Sequence, residues 1–110
     1  GGRERTQSRK IARLAAGAEQ GMKSRATTRF WFLYGQLPSP IQKLAVKNYG
    51  LWLKDPRHPS LVFKKLHGRG ERFSVRIGDN YRAIGHFVED GVEWVWIGSH
   101  DEYDNLLRSL

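Results

Sequence analysis

With 110 residues and 39% apolar content, the chain suits a single domain with a modest core. It has no cysteine, which excludes disulfides, a thiolate nucleophile and cysteine zinc sites, and no apolar run approaches the roughly 20 residues that cross a bilayer. The net charge of +8 is uneven, with +3 over residues 1–22, +10 over 23–82 and −5 over 83–110, a basic body that suits a polyanionic partner. No signal-peptide pattern opens the chain, and the expectation is a soluble, cytoplasmic protein with no membrane attachment.

Residues 1–21 lack aromatic side chains and end at Gly21-Met22, so we read them as an N-terminal basic extension, or as an added arm foreign to the natural protein, ahead of a domain at 22–110. Within the extension, residues 8–18 could form a short helix with Ile11, Leu14 and Ala15 on one face. The aromatic-rich residues 28–34 read as a strand. Leu37-Pro38-Ser39-Pro40 breaks the chain, and Ser39 with Gln42 three residues on predicts a capping box for a helix over 40–54. Ile41, Leu44, Ala45 and Trp52 would share its buried face, and Asp55-Pro56 would stop it. Residues 55–60 form a proline-rich turn, 61–66 are ambiguous, and His67-Gly68-Arg69-Gly70 reads as a basic loop.

Three strands follow. In the first, Phe73, Val75 and Ile77 alternate with Arg72, Ser74 and Arg76. Gly78-Asp79-Asn80 makes a turn into a second strand over 81–88, and Asp90-Gly91 is a hairpin signal before a third over 92–97. The third is the most apolar and is expected to be central, with Trp94 and Trp96 packing together on one side as core. Residues 101–110 close the chain as a short helix carrying Leu106, Leu107 and Leu110. The predicted class is α+β: a small, antiparallel-rich sheet made of an N-terminal strand and a three-stranded meander, covered by a helix and finished by a short C-terminal helix.

The polar positions of the meander are Arg76, Arg82 and His86, and its last strand runs into His100 and Tyr103. Cations, an imidazole and a phenol gathered on one small sheet can hold a phosphate backbone and move protons beside it. Each has a structural alternative as well. Arg82 could pair with Asp79 or the acidic tail, His100 could cap the last helix, and Tyr103 could be that helix's core. Histidine spacing gives no paired metal ligands, so neither metal nor cofactor is expected.

The order of elements resembles the RelE/ParE superfamily of toxins from bacterial type II toxin–antitoxin pairs. The segment Lys65-Leu66-His67-Gly68, the run from Ser74 through Tyr81-Arg82, and the final GSHDEYD carry the resemblance. It implies a metal-independent endoribonuclease (an mRNA interferase) acting on mRNA at the ribosome and held inactive by a cognate antitoxin. It also implies that Arg76, Arg82, His100 and Tyr103 form the catalytic set. This chain offers Ser74 and Arg76 where the best-known members place two lysines.

Cleavage of RNA without a metal uses the ribose 2′-hydroxyl against the neighbouring phosphate. Arg76 and Arg82 suit the phosphate oxygens, because guanidinium stays charged and forks onto them. His100 suits proton transfer, since an unperturbed imidazole titrates near about 6.5. Tyr103 could stack on a base, orient the 2′-hydroxyl or assist the base. Lys64, Lys65, His67, Arg69 and Arg72 would form an RNA-binding rim, with His86 as a further candidate. Two other functions stay open: a ParE-like DNA gyrase poison without RNA chemistry, and a non-catalytic module that binds RNA or antitoxin.

Overall fold

The computed structural model describes residues 23–66 and 71–109. The extension at 1–21, His67, Arg69 and Leu110 therefore lie outside the described residues. The elements are β1 (Lys23–Ala26), α1 (Thr28–Gly35), α2 (Ser39–Lys54), a single 3-10 turn (Pro59–Leu61), β2 (Lys64–Lys65), β3 (Arg72–Ile77), β4 (Tyr81–Val88), β5 (Gly91–Ser99) and α3 (His100–Arg108). They form one five-stranded sheet in the order β1-β5-β4-β3-β2. The meander is antiparallel, and β1 joins β5 in parallel. Gly91 permits that junction, because a Cβ there would lie 1.7 Å from the Lys23 carbonyl oxygen. The α+β class is as expected, and among the described residues no helix is long and apolar enough to cross a membrane.

Four local expectations change. The N-terminal strand is β1, and the aromatic segment behind it is the helix α1. Thr27 caps that helix by accepting a hydrogen bond from the Phe30 N–H at 3.1 Å. Phe30, Leu33, Tyr34 and Leu37 then fall at helical spacing and pack against the core, while Trp31 and Phe32 stay exposed. Packing of that stripe overrides the strand preference of its aromatics.

The capping box at Ser39 does not form, since Pro38 is the cap residue and makes no side-chain cap bond. Gln42 instead donates through Nε2 to the Tyr34 carbonyl at 3.0 Å, tying α2 to the end of α1. A capping box does exist at the other end of the chain, where Ser99 and Glu102 close the first turn of α3 reciprocally.

β5 lies inside the sheet but β4 is central, because β1 adds beyond β5 and β2 adds beyond β3. Finally, Trp94 and Trp96 lie in different cores. Ile84 pairs with Trp96 but Gly85 pairs with Trp94, so Val95 is the extra residue of a β-bulge. Beyond it the alternation of β5 is reversed.

The larger core fills the space between the sheet and α1 with α2. Trp52 stacks on Phe73 with ring centroids 6.0 Å apart and meets Trp94 edge-on at 5.4 Å. The smaller core, on the opposite face, is Leu66, Ile84, Trp96 and Tyr103 beneath α3. The polar residues of interest belong to that second face.

Candidate functional site

Strand register decides which predicted residues meet. Arg76 on β3 lies directly opposite Arg82 on β4, and Arg82 lies opposite Gly98 on β5. Adjacent strands are about 4.8 Å apart, so the two guanidinium groups stand on neighbouring strands of one face. Like charges placed this way repel. The turn after β3 relieves part of that repulsion: Arg76 pairs with Asp79 through Nη2, and its Nε donates to the Gly78 carbonyl at 2.7 Å. Arg82 donates to its neighbour's carbonyl, that of Tyr81, at 2.8 Å, and among the described residues it has no carboxylate partner. The pairing foreseen as an alternative for Arg82 is therefore made by Arg76.

His100 stands at the same end of the sheet. As the first residue of α3 it donates its backbone N–H to the Asn80 carbonyl at 2.7 Å, which fastens the helix start to the β3–β4 turn. Its ring is half-exposed, and Nδ1 lies 3.2 Å from Asp104 Oδ2 one helical turn on. That contact orients the imidazole and leaves Nε2 as the nitrogen not facing Asp104. Gly98 keeps the neighbouring sheet surface low, since a Cβ there would come within 2.7 Å of the Trp96 ring. Capping of α3 belongs to Ser99, so the imidazole is free of that duty.

Tyr103 is buried, and its hydroxyl donates to Ser74 Oγ at 3.0 Å. Ser74, itself buried, is thereby the sheet's attachment point for α3. The Tyr103 and His100 rings are 6.4 Å apart on successive turns of that helix. Arg76, Arg82 and His100 thus gather around an accessible surface, while Tyr103 lies beneath it.

The candidate rim is less unified. Lys64 pairs in register with Ser74 and shares its face, but Lys65 pairs with Phe73 and turns towards the helix side. Arg72 and His86 oppose each other four residues further along β3 and β4, about 13 Å from the arginine pair at a rise of ~3.3 Å per residue. There His86 Nε2 lies 2.8 Å from Glu93, whose other oxygen is 3.2 Å from Arg25 Nε. Sequence reasoning missed Arg25 and Glu93. The alternation Lys23-Ser24-Arg25-Ala26 was the available signal, visible once β1 is taken as a strand.

The hydrogen bond with His86 holds the Glu93 carboxyl below its ordinary value; desolvation opposes this, and the charges of His86 and Arg25 add to it. A lowered carboxylate pKa contributes stability that is present above the unfolded value and is lost as pH falls through the folded one. In pH-dependent urea unfolding, Glu93→Gln should therefore be less stable than the parent near neutrality. The gap should close as pH drops through and below the carboxylate range of about 4.

Residues 40–105 match the family model described as a ParE-like toxin domain. Among solved structures, the isolated E. coli RelE toxin is similar at 16% identity and TM-score 0.58, over 82% of this chain and 100% of that one. The archaeal RelE–RelB complex from Pyrococcus horikoshii OT3 matches at 16% and 0.56, over 70% of this chain and 92% of that chain. The RelB–RelE antitoxin–toxin complex from Methanococcus jannaschii matches at 17% and 0.56, over 74% and 95%. At these identities the likeness is one of fold. No curated protein sequence matches the chain significantly.

Proposed function

Because the chain belongs to the family of ParE-like toxin domains, we propose that it is the toxin of a type II toxin–antitoxin pair and that it cuts mRNA at the ribosome. One observation carries the reading: Arg82, with no carboxylate partner among the described residues, lies beside a second arginine at the end of the sheet where α3 begins with a half-exposed imidazole whose Nδ1 is oriented by Asp104. Two guanidinium groups on adjacent strands suit the non-bridging oxygens of one phosphate. They favour the charge that accumulates as the 2′-oxygen attacks phosphorus and the bond to the 5′-oxygen breaks. The products are a 2′,3′-cyclic phosphate and a 5′-hydroxyl. His100 Nε2, when protonated, supplies the proton that the leaving 5′-oxygen takes up, and the 2′-hydroxyl proton passes to water or to the ribosome.

Tyr103 enters this scheme as a positioning residue. Its bond to Ser74 fixes α3 on the sheet and with it the place of His100. Lys64 and Arg72 would contact flanking phosphates, and a cognate antitoxin would cover the same basic face. The solved RelE–RelB complexes, in which a toxin of this fold is paired with an antitoxin, support that partner.

The test is toxin made by cell-free synthesis and added to ribosomes programmed with a defined mRNA, with the new 5′ ends mapped. Cuts bearing 5′-hydroxyls are expected, and His100→Ala should slow them by about 10²–10⁴-fold. An intact message with the parent protein would sink the proposal. The match to a ParE-like model favours one other reading, a poison of DNA gyrase. It predicts trapped gyrase–DNA complexes that persist undiminished in His100→Ala.

A further inference from the structure

The outer face of α2, turned away from the sheet, carries two features that cost the free protein stability. Lys43 and Lys47 stand one turn apart, Lys54 follows on the same stripe two turns further on, and all three are exposed. Like charges at the first of these spacings repel. None of the three lysines has a carboxylate partner among the described residues, and residues 23–54 contain no Asp or Glu at all. Lys54 suits the C-terminal end of the helix dipole, but Lys43 and Lys47 have no such role. The second feature is Gly50, on this stripe between Lys47 and Lys54. Glycine is the poorest residue after proline for a helix interior. No neighbour demands it here, since a Cβ at Gly50 would meet nothing within 4 Å.

We propose that the outer face of α2 is a docking surface for duplex RNA, whose phosphates meet Lys43, Lys47 and Lys54 and whose backbone passes over Gly50. Lys43 to Lys47 covers about 6 Å of helix axis and Lys47 to Lys54 about 10 Å more, so the ammonium groups can reach phosphates on both strands of one groove. The wide, shallow minor groove of A-form RNA suits a helix laid across it. The unpaired charge selects a polyanion. The centre of the stripe selects phosphate over protein, because protein interfaces turn on buried apolar anchors and this centre is a glycine. Val46 and Tyr49, the exposed apolar residues of α2, line its cleft with α1 instead. With no ring on the stripe, a single strand would lack the aromatic platform on which its bases stack. Only the choice of RNA over DNA rests on the reading that the protein works at the ribosome. The stripe lies across the sheet from the arginine–histidine face and holds RNA whether or not that face cuts it.

The experiment is fluorescence anisotropy of a short labelled RNA duplex with the full 110-residue chain, across a salt series. The logarithm of the affinity falls with that of the salt concentration by about one unit per phosphate contact. Lys47→Gln should therefore reduce the slope by about 1, and Lys43→Gln with Lys47→Gln by about 2. Arg57→Gln, which removes an exposed cation from the turn after α2, should leave it unchanged. Gly50→Leu should weaken duplex binding severalfold while raising the urea midpoint of unfolding, since leucine is the better helix former. Equal losses in the Lys47 and Arg57 variants would overturn the proposal, as would undiminished binding by Gly50→Leu. A DNA duplex of the same sequence bound as tightly would overturn the choice of RNA. Displacement of the duplex by polyglutamate at equal charge concentration would overturn it too, pointing to an acidic protein. The expected slopes in a protein that leaves mRNA intact would uphold the stripe and end the cleavage reading; cleavage with unchanged slopes would end the stripe alone.

Discussion

Replacing Arg82 with alanine should lower single-turnover RNA cleavage by about 10²–10³-fold, the usual cost of removing one preorganised group that meets developing charge. Arg76→Ala should cost distinctly less. The two residues are cross-strand neighbours, yet their surroundings differ. Arg76 has already spent its charge on Asp79 and its Nε on the Gly78 carbonyl, so it must give up a partner before it can serve a phosphate. Arg82 gives up only a bond to a neighbouring carbonyl. Rates at saturating substrate, measured for both variants across a salt series, distinguish the roles. Unchanged cleavage by Arg82→Ala would remove it from the phosphate site, and equal losses would mean that Asp79 does not restrain Arg76.

The second large effect concerns stability. Trp52→Ala should destabilise the domain by about 3–5 kcal/mol, the range for truncating a fully buried large aromatic. Trp52 is one of the most deeply buried side chains, stacked on Phe73 and edge-on to Trp94, and it attaches α2 to the sheet. Since small domains hold only about 5–15 kcal/mol in total, such a loss takes a large share of it. Trp31→Ala, at 57% exposure, should stay within about 0.5 kcal/mol. Urea unfolding followed by far-UV circular dichroism checks both. A small loss at Trp52 would mean that the larger core repacks around the gap.

Much of this arrangement was legible in the sequence, for identifiable reasons. The meander announced itself through period-two alternation and the turns at Gly78-Asp79-Asn80 and Asp90-Gly91, and it carried Arg76, Arg82 and His100 to one end of one face. The segment after β1 was misread because Phe30, Trp31, Phe32 and Tyr34 favour strands, whereas the spacing of Phe30, Leu33, Tyr34 and Leu37 decided the outcome. Which arginine takes Asp79 depends on the closed turn and not on residue type. The burial of Tyr103 was among the alternatives its helix offered, but its hydroxyl contact with Ser74, 29 positions away in the chain, is one that no local pattern reports. The bulge at Val95 was invisible because neither glycine nor proline marks it.

That bulge reaches beyond packing. Because β5 carries one residue more than β4 requires, residues before and after Val95 keep opposite phases of in and out. Counting forward from Glu93 in strict alternation would send Gly98 into the larger core and bring Ile97 to the arginine face, the reverse of what the strand does. A relative whose last strand lacks the extra residue therefore aligns with this chain by face only if a gap is placed at Val95. Equivalence of the groups around His100 is then properly counted backward from the Ser99 cap, not forward along the strand.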